Sequence, residues 1–62
     1  MINYKFVVTY IPSSQEGRSS IQEIIELSFP VEKTLDSIKQ DIKWAFQLDG
    51  HDVISIEGGT VE

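Results

Sequence analysis

The chain has 62 residues, of which 40% are hydrophobic and none is cysteine. A single domain of this size buries only about 60% of the surface that its unfolded chain exposes, and here it must do so without disulfides or thiolate metal sites. Ten acidic against five basic residues give a net charge of −5. That charge opposes binding to the phosphates of nucleic acids.

The acidic residues are spread along the chain rather than clustered. This distribution is typical of an ordinary solvated surface, and a second interpretation is an acidic protein that imitates DNA in the basic groove of another protein. The first residues, MINYKFVVTYIP, contain an apolar run that Asn3, Lys5 and Thr9 interrupt. We therefore expect neither a signal peptide nor a membrane span, and a cytoplasmic location is the expectation that follows.

The first half of the chain predicts two strands. Residues 2–11, INYKFVVTYI, alternate with a two-residue period and carry β-branched or aromatic side chains on both faces, which indicates a central strand. Residues 12–20, PSSQEGRSS, predict a mobile loop. Residues 21–29, IQEIIELSF, alternate again and predict the second strand, which Pro30 ends.

The next segment predicts a helix. Apolar residues recur at helical spacing from Leu35 to Phe46, and Thr34 is the predicted N-cap. Gly50 can take the left-handed conformation of a helix C-terminus, so we expect the helix to end near Gln47 or Leu48.

The last segment predicts a third strand at residues 52–57, DVISIE. Its alternation places Ile54 and Ile56 toward the core and Val53 toward the opposite face. The order strand, strand, helix, strand thus predicts an α+β fold with a three-stranded antiparallel sheet of order 2-1-3 and one helix packed on one face. The predicted core consists of Phe6, Val8, Ile25, Leu27, Ile38, Ile42, Phe46, Ile54 and Ile56.

A Gly-Gly pair, Gly58-Gly59, follows the predicted third strand. With the order of elements, it resembles an abbreviated β-grasp, the fold of ubiquitin and of small sulfur carriers. The resemblance implies a carrier that would expose this pair at its carboxyl end after removal of Thr60, Val61 and Glu62. The competing interpretation is a two-residue hairpin turn, because both glycines accept the positive φ angles that such turns require.

The single histidine, His51, lies close to Asp49 and Asp52, which could orient a base or ligate a metal. A general base needs a nucleophile and a concave pocket, for which 62 residues leave little room, and the spacing matches no recognised metal site. The sequence therefore predicts no catalytic, cofactor-binding or metal-binding residues.

One candidate binding surface lies on the helix. Trp44 is about 160–200° around the helix from the apolar stripe, beside Gln40 and Gln47. A tryptophan that faces water is typical of a binding hot spot. The alternative is that Trp44 folds over the sheet edge and caps the core.

A second candidate surface is the face of the sheet that the helix leaves open. On the predicted pattern, Val7, Ile24 and Val53 line up there across three strands. We therefore expect a non-enzymatic module that binds another protein and modulates or inhibits it, with no nucleic-acid or membrane partner. A homodimer is its simplest assembly, because an apolar patch on a two-fold axis can cover itself.

Overall fold

The computed structural model describes residues 1–13 and 19–61. Its elements are β1 (Ile2–Ile11), β2 (Ile21–Phe29), α1 (Leu35–Leu48) and β3 (Asp52–Val61). The loop that we expected to be mobile covers residues 12–20, and its residues 14–18 lie outside the described part of the chain.

The sheet has the order β2-β1-β3, and β1 pairs antiparallel with both neighbours. The pairing of β1 with β2 runs without a register shift from Ile2 opposite Phe29 to Tyr10 opposite Ile21. The predicted fold class and strand order are therefore confirmed. Because β1 has a neighbouring strand along each of its edges, cross-strand side chains partly cover even its residues on the open face, and Val7, Thr9 and Ile11 are half-buried there.

The core lies between β1 and α1. Its buried members are Tyr4, Phe6, Val8, Tyr10, Ile38 and Ile42, and the partly buried residues packed around them are Ile2, Ile25, Leu27, Phe29, Phe46, Val53 and Ile56. The prediction omitted Tyr4, which is 1% exposed. Its hydroxyl accepts a hydrogen bond from the Lys33 backbone N–H at 3.0 Å, which satisfies a polar group that would otherwise be costly to bury.

The ends of α1 follow the prediction. The Thr34 side chain accepts a hydrogen bond from the Ser37 backbone N–H at 3.4 Å, so Thr34 is the N-cap. At the other end, Gly50 has a φ of 83° and its N–H donates to the Gln47 carbonyl at 2.9 Å. The left-handed glycine thereby ends the helix and turns the chain toward β3.

The first half of β3 differs from the prediction because the strand contains a β-bulge. Ser55 lies opposite Thr9 and Val53 lies opposite Tyr10, so Ile54 is an extra residue in the ladder. A bulge places two residues opposite one and thereby reverses the faces that simple alternation predicts. Val53 consequently packs against the core, whereas Ile54 is 57% exposed, so the predicted orientations of both residues were wrong.

The second half of β3 continues through the Gly-Gly pair. Gly58 lies opposite Phe6, Gly59 lies opposite Lys5, and the strand ends only at Val61. In this structure the pair is thus neither the hairpin turn nor the extended tail that the sequence suggested. The third strand is longer than the predicted residues 52–57 because glycine can occupy a strand at a point of close backbone approach.

Candidate protein-binding surfaces

The outer face of α1 carries the most exposed aromatic side chain of the described residues. Trp44 is 65% exposed, so its predicted outward orientation is confirmed and the alternative of a core cap is wrong. Gln40 and Gln47 are exposed as well. We name this surface, formed by Gln40, Trp44, Gln47 and Leu48, the outer helix face.

Leu48 belongs to the outer helix face, although the sequence analysis did not single it out. It is 66% exposed and follows Trp44 by four residues, a spacing at which side chains are neighbours on a helix. The signal was present in the sequence as a second large apolar residue outside the core-facing stripe. Trp44 and Leu48 together make an apolar pair on a side of α1 that points away from Ile38 and Ile42.

The open face of the sheet is less apolar than predicted. Val7 and Ile24 lie opposite each other on this face, as expected, and Ile24 is 58% exposed. On the other side of Val7, however, the cross-strand neighbour is Glu57, and Val53 lies on the helix side of the sheet. The predicted row of three apolar residues is therefore wrong, and the patch spans two strands only.

A groove between α1 and β2 is a further apolar surface, which the sequence analysis missed. The backbone of α1 approaches β3 within 8 Å but, in the part of the chain that the structure describes, comes this close to neither β1 nor β2. The resulting groove has a volume of ≈ 390 Å³. We name it the α1–β2 groove; it is lined by Ile25, Leu27, Phe29, Ile38, Asp41, Ile42, Ala45 and Phe46.

The opposite side of α1 is more polar. There a smaller groove of ≈ 240 Å³ runs along β3, and its lining includes Lys39 and Lys43. The α1–β2 groove has Asp41 in its lining instead. The two sides of the helix therefore differ in the sign of their charge.

Tyr10, near the end of β1, has a phenol whose pKa is changed by its surroundings. Its hydroxyl donates a hydrogen bond to Glu23 Oε1 at 3.4 Å. Burial raises the pKa of the Tyr10 phenol above its usual value, and the charge of the Glu23 carboxylate and this hydrogen bond raise it further. All three effects disfavour the phenolate, so Tyr10 is a protonated donor at neutral pH.

His51 has a structural position in the molecule. Its Nδ1 accepts a hydrogen bond from the Ser13 backbone N–H at 3.1 Å, and its ring lies 4.9 Å from that of Tyr10. These contacts tie the end of β1 to the turn after α1. Among residues 1–13 and 19–61, no group of three or more potential metal ligands comes together, and His51 with its neighbours Asp49 and Asp52 forms none.

Within the same described ranges, α1 is too short and too polar to span a bilayer. Comparisons of the chain with protein-family models, with curated proteins and with solved structures gave no match. The interpretation of the surfaces therefore depends on their geometry and chemistry.

Proposed function

We propose that this chain is a small, acidic, non-enzymatic interaction module that binds another protein through its outer helix face and modulates or inhibits that protein. The observation that carries the proposal is the exposure of Trp44 on the outside of α1. Tryptophan is among the residues most enriched in binding hot spots, because its large ring buries much apolar area for little lost side-chain entropy.

The surroundings of Trp44 support the proposal. Leu48 adds a second apolar side chain on the same side of the helix, and Gln40 and Gln47 can form hydrogen bonds at the rim. An apolar centre with a polar rim is the usual composition of a protein interface. The helix itself is anchored by Ile38 and Ile42 in the core, which fixes the position of the outer face relative to the sheet.

The net charge of −5 adds a second element to the proposal. An acidic protein associates faster with a basic partner surface than with a neutral one, because long-range attraction steers the encounter. We therefore expect a partner with a basic patch around an apolar pocket, and cytoplasm is the compartment in which we place this encounter.

The test is affinity capture of partners from the source cells. We expect the wild-type chain to retain a specific protein and Trp44→Ala to lose it, since truncation of a hot-spot tryptophan typically costs at least about 2 kcal/mol of binding free energy. That loss corresponds to a roughly thirtyfold weaker complex. Binding of the captured protein is then measured by calorimetry with purified components.

The matched control is Ile24→Ala. Ile24 is also a large apolar residue with a similar exposure of 58%, but it lies on β2, opposite Val7 on the face of the sheet that the helix leaves open. This variant should bind as the wild type does. Equal binding by Trp44→Ala and wild type would rule out the outer helix face as the binding surface.

A further inference from the structure

We infer that the free edge of β2 is a self-pairing edge, at which two copies of the chain join antiparallel and form a continuous six-stranded sheet. This inference is independent of the outer helix face. It concerns a second copy of the chain, and it assigns a role to the α1–β2 groove, which the proposed function leaves unused.

The backbone of β2 is suited to pairing. Among residues 1–13 and 19–61, β2 pairs with β1 on one side only, and over its nine residues the pairing is regular, without a bulge. Natural edge strands are commonly protected by proline, charged side chains, bulges, short length or an inward-pointing charge. The segment IQEIIELSF has no proline, lysine or bulge, and its charged residues are Glu26 and Glu23, whose carboxylate accepts a hydrogen bond from Tyr10. In the part of the chain that the structure describes, no other strand pairs with its outer row of N–H and C=O groups.

The other edge of the sheet is different. β3 contains the bulge at Ile54, and at Gly58 the backbone has a φ of 146°. Both features interrupt the regular extended geometry that a pairing strand needs. Of the two edges of this sheet, β2 is therefore the one that favours pairing.

The α1–β2 groove points to a second copy as the occupant. Antiparallel pairing within one sheet places both helices on the same face, so the grooves of the two copies adjoin across the two-fold axis. The residues that β2 contributes to the groove are Ile25, Leu27 and Phe29. Each copy thus supplies the apolar side chains that the incomplete groove of the other copy lacks.

The charge pattern of β2 is compatible with the register that pairs the whole strand. Pairing of all nine residues from Ile21 to Phe29 requires Ile25 to lie opposite Ile25 of the other copy. In this register Glu23 lies opposite Leu27, and Glu26 lies opposite Ile24. Two carboxylates directly opposite each other would destabilise the pair of strands, and this register contains no such pair.

The first experiment is sedimentation equilibrium of the wild-type chain and of three variants at one position, from micromolar to millimolar concentration. In the proposed register, position 24 lies opposite Glu26 twice per dimer. Relative to Ile24→Gln, we therefore expect Ile24→Glu to raise the dimer Kd about tenfold and Ile24→Lys to lower it by a similar factor. Because Ile24 is 58% exposed, these changes leave the core intact.

Ile54→Glu is the matched control, because Ile54 is 57% exposed but lies on the other edge of the sheet. It should leave the dimer Kd unchanged. A wild-type chain that stays monomeric at millimolar concentration contradicts the inference. Equal dimer Kd values for the glutamine, glutamate and lysine variants at position 24 contradict it as well.

The second experiment tests the register and uses the absence of native cysteine. A mixture of Ile24→Cys chains and Glu26→Cys chains is oxidised and the linked species are separated by mass. We expect mixed disulfides in excess of their statistical share, because these two positions face each other. An excess of Ile24→Cys chains linked to themselves would overturn the proposed pairing.

These outcomes are separable from those of the proposed function. Trp44→Ala should leave sedimentation unchanged, because the outer helix face is not part of the β2 edge. Ile24→Glu should weaken dimerisation without abolishing capture of a partner by the outer helix face. The failure of one proposal can therefore be recognised while the other stands.

Discussion

Gly58 shows how a single residue fixes the course of the chain. A Cβ atom built at this position would lie 2.7 Å from the Phe6 Cα and still closer to the Lys5 carbonyl oxygen. The φ of 146° is also one that side-chain-bearing residues rarely adopt. Gly58 therefore allows β3 to lie against β1, which gives this glycine a structural reason to be present.

The first prediction concerns this close approach. Gly58→Ala should lower the free energy of unfolding by at least about 2 kcal/mol, through backbone strain and the displacement of β1. At Gly59 an added Cβ would lie at an ordinary 3.7 Å from Leu35 Cδ1, so Gly59→Ala should change stability by less than about 1 kcal/mol. Urea unfolding of both variants checks the difference, and equal stabilities would contradict it.

The second prediction concerns Tyr10. Its pKa is raised in the folded state by burial and then by Glu23, from an ordinary value of 10.0. The stabilisation linked to the protonated phenol is thus fully present below that value and is lost as the pH rises through the higher pKa of the folded state. Urea midpoints measured from about pH 8 to about pH 11 should fall less steeply in Tyr10→Phe than in the wild type. Parallel profiles would show that Tyr10 does not contribute.

At the scale of the elements, the β-bulge decides which side of β3 faces α1. The segment Val53-Ile54 contains two adjacent β-branched residues, so either one can face the core and a two-residue period cannot distinguish them. The register of β3 against β1 determines which of these two residues faces the core. That register depends on long-range strand pairing, which a local pattern does not contain. By contrast, the bounds of β1, β2 and α1 were predictable, because local alternation, Pro30, Thr34 and Gly50 mark them.

The candidate surfaces were predictable to a smaller extent. Helical geometry predicts that Trp44 leaves the helix on the outer side, but whether its ring then folds over the sheet edge depends on tertiary packing, so the sequence left both orientations open. The α1–β2 groove depends on where α1 sits across the width of the sheet, which no local pattern records. Its lining residues Ile25 and Leu27 were predicted as core, and they are instead partly buried at the border of the helix layer.

The third prediction concerns the packing of α1. Ile42 is 7% exposed and is one of two buried residues of the helix, so Ile42→Ala should cost about 2–5 kcal/mol of stability through lost contacts and a cavity. Exposed Ile54 provides the matched control, and Ile54→Ala should cost within about 0.5 kcal/mol. Thermal unfolding compares the two variants; a wild-type midpoint for Ile42→Ala would contradict the assigned core.

At the scale of the whole molecule, the dimensions explain why apolar surface remains uncovered. The chain measures 40 × 20 × 14 Å. A strand of ten residues extends about 33 Å, whereas a helix of 14 residues is about 21 Å long. The helix therefore leaves part of the length of the strands uncovered. Because α1 also lies closer to β3 than to β2, the α1–β2 groove remains on the other side.

Because apolar surface remains exposed in the folded chain, its stability depends on whether a partner covers that surface. A 62-residue domain has a small reserve of stability, and any partner or second copy that binds only the folded state adds to it by mass action. The outer helix face and the β2 edge are on different parts of the molecule. On the two proposals together, a dimer joined at the β2 edge would present two copies of Trp44 to a partner.

The central claim, that the outer helix face binds another protein, is tested most directly by the fluorescence of Trp44, the single tryptophan of the chain. In the isolated protein the exposed indole should emit as a solvated tryptophan and be quenched readily by iodide. In the complex with the captured partner, whose own tryptophans are replaced by phenylalanine, we predict a blue-shifted emission that iodide quenches several-fold less. Emission and quenching that are the same in the free and bound states would contradict the account.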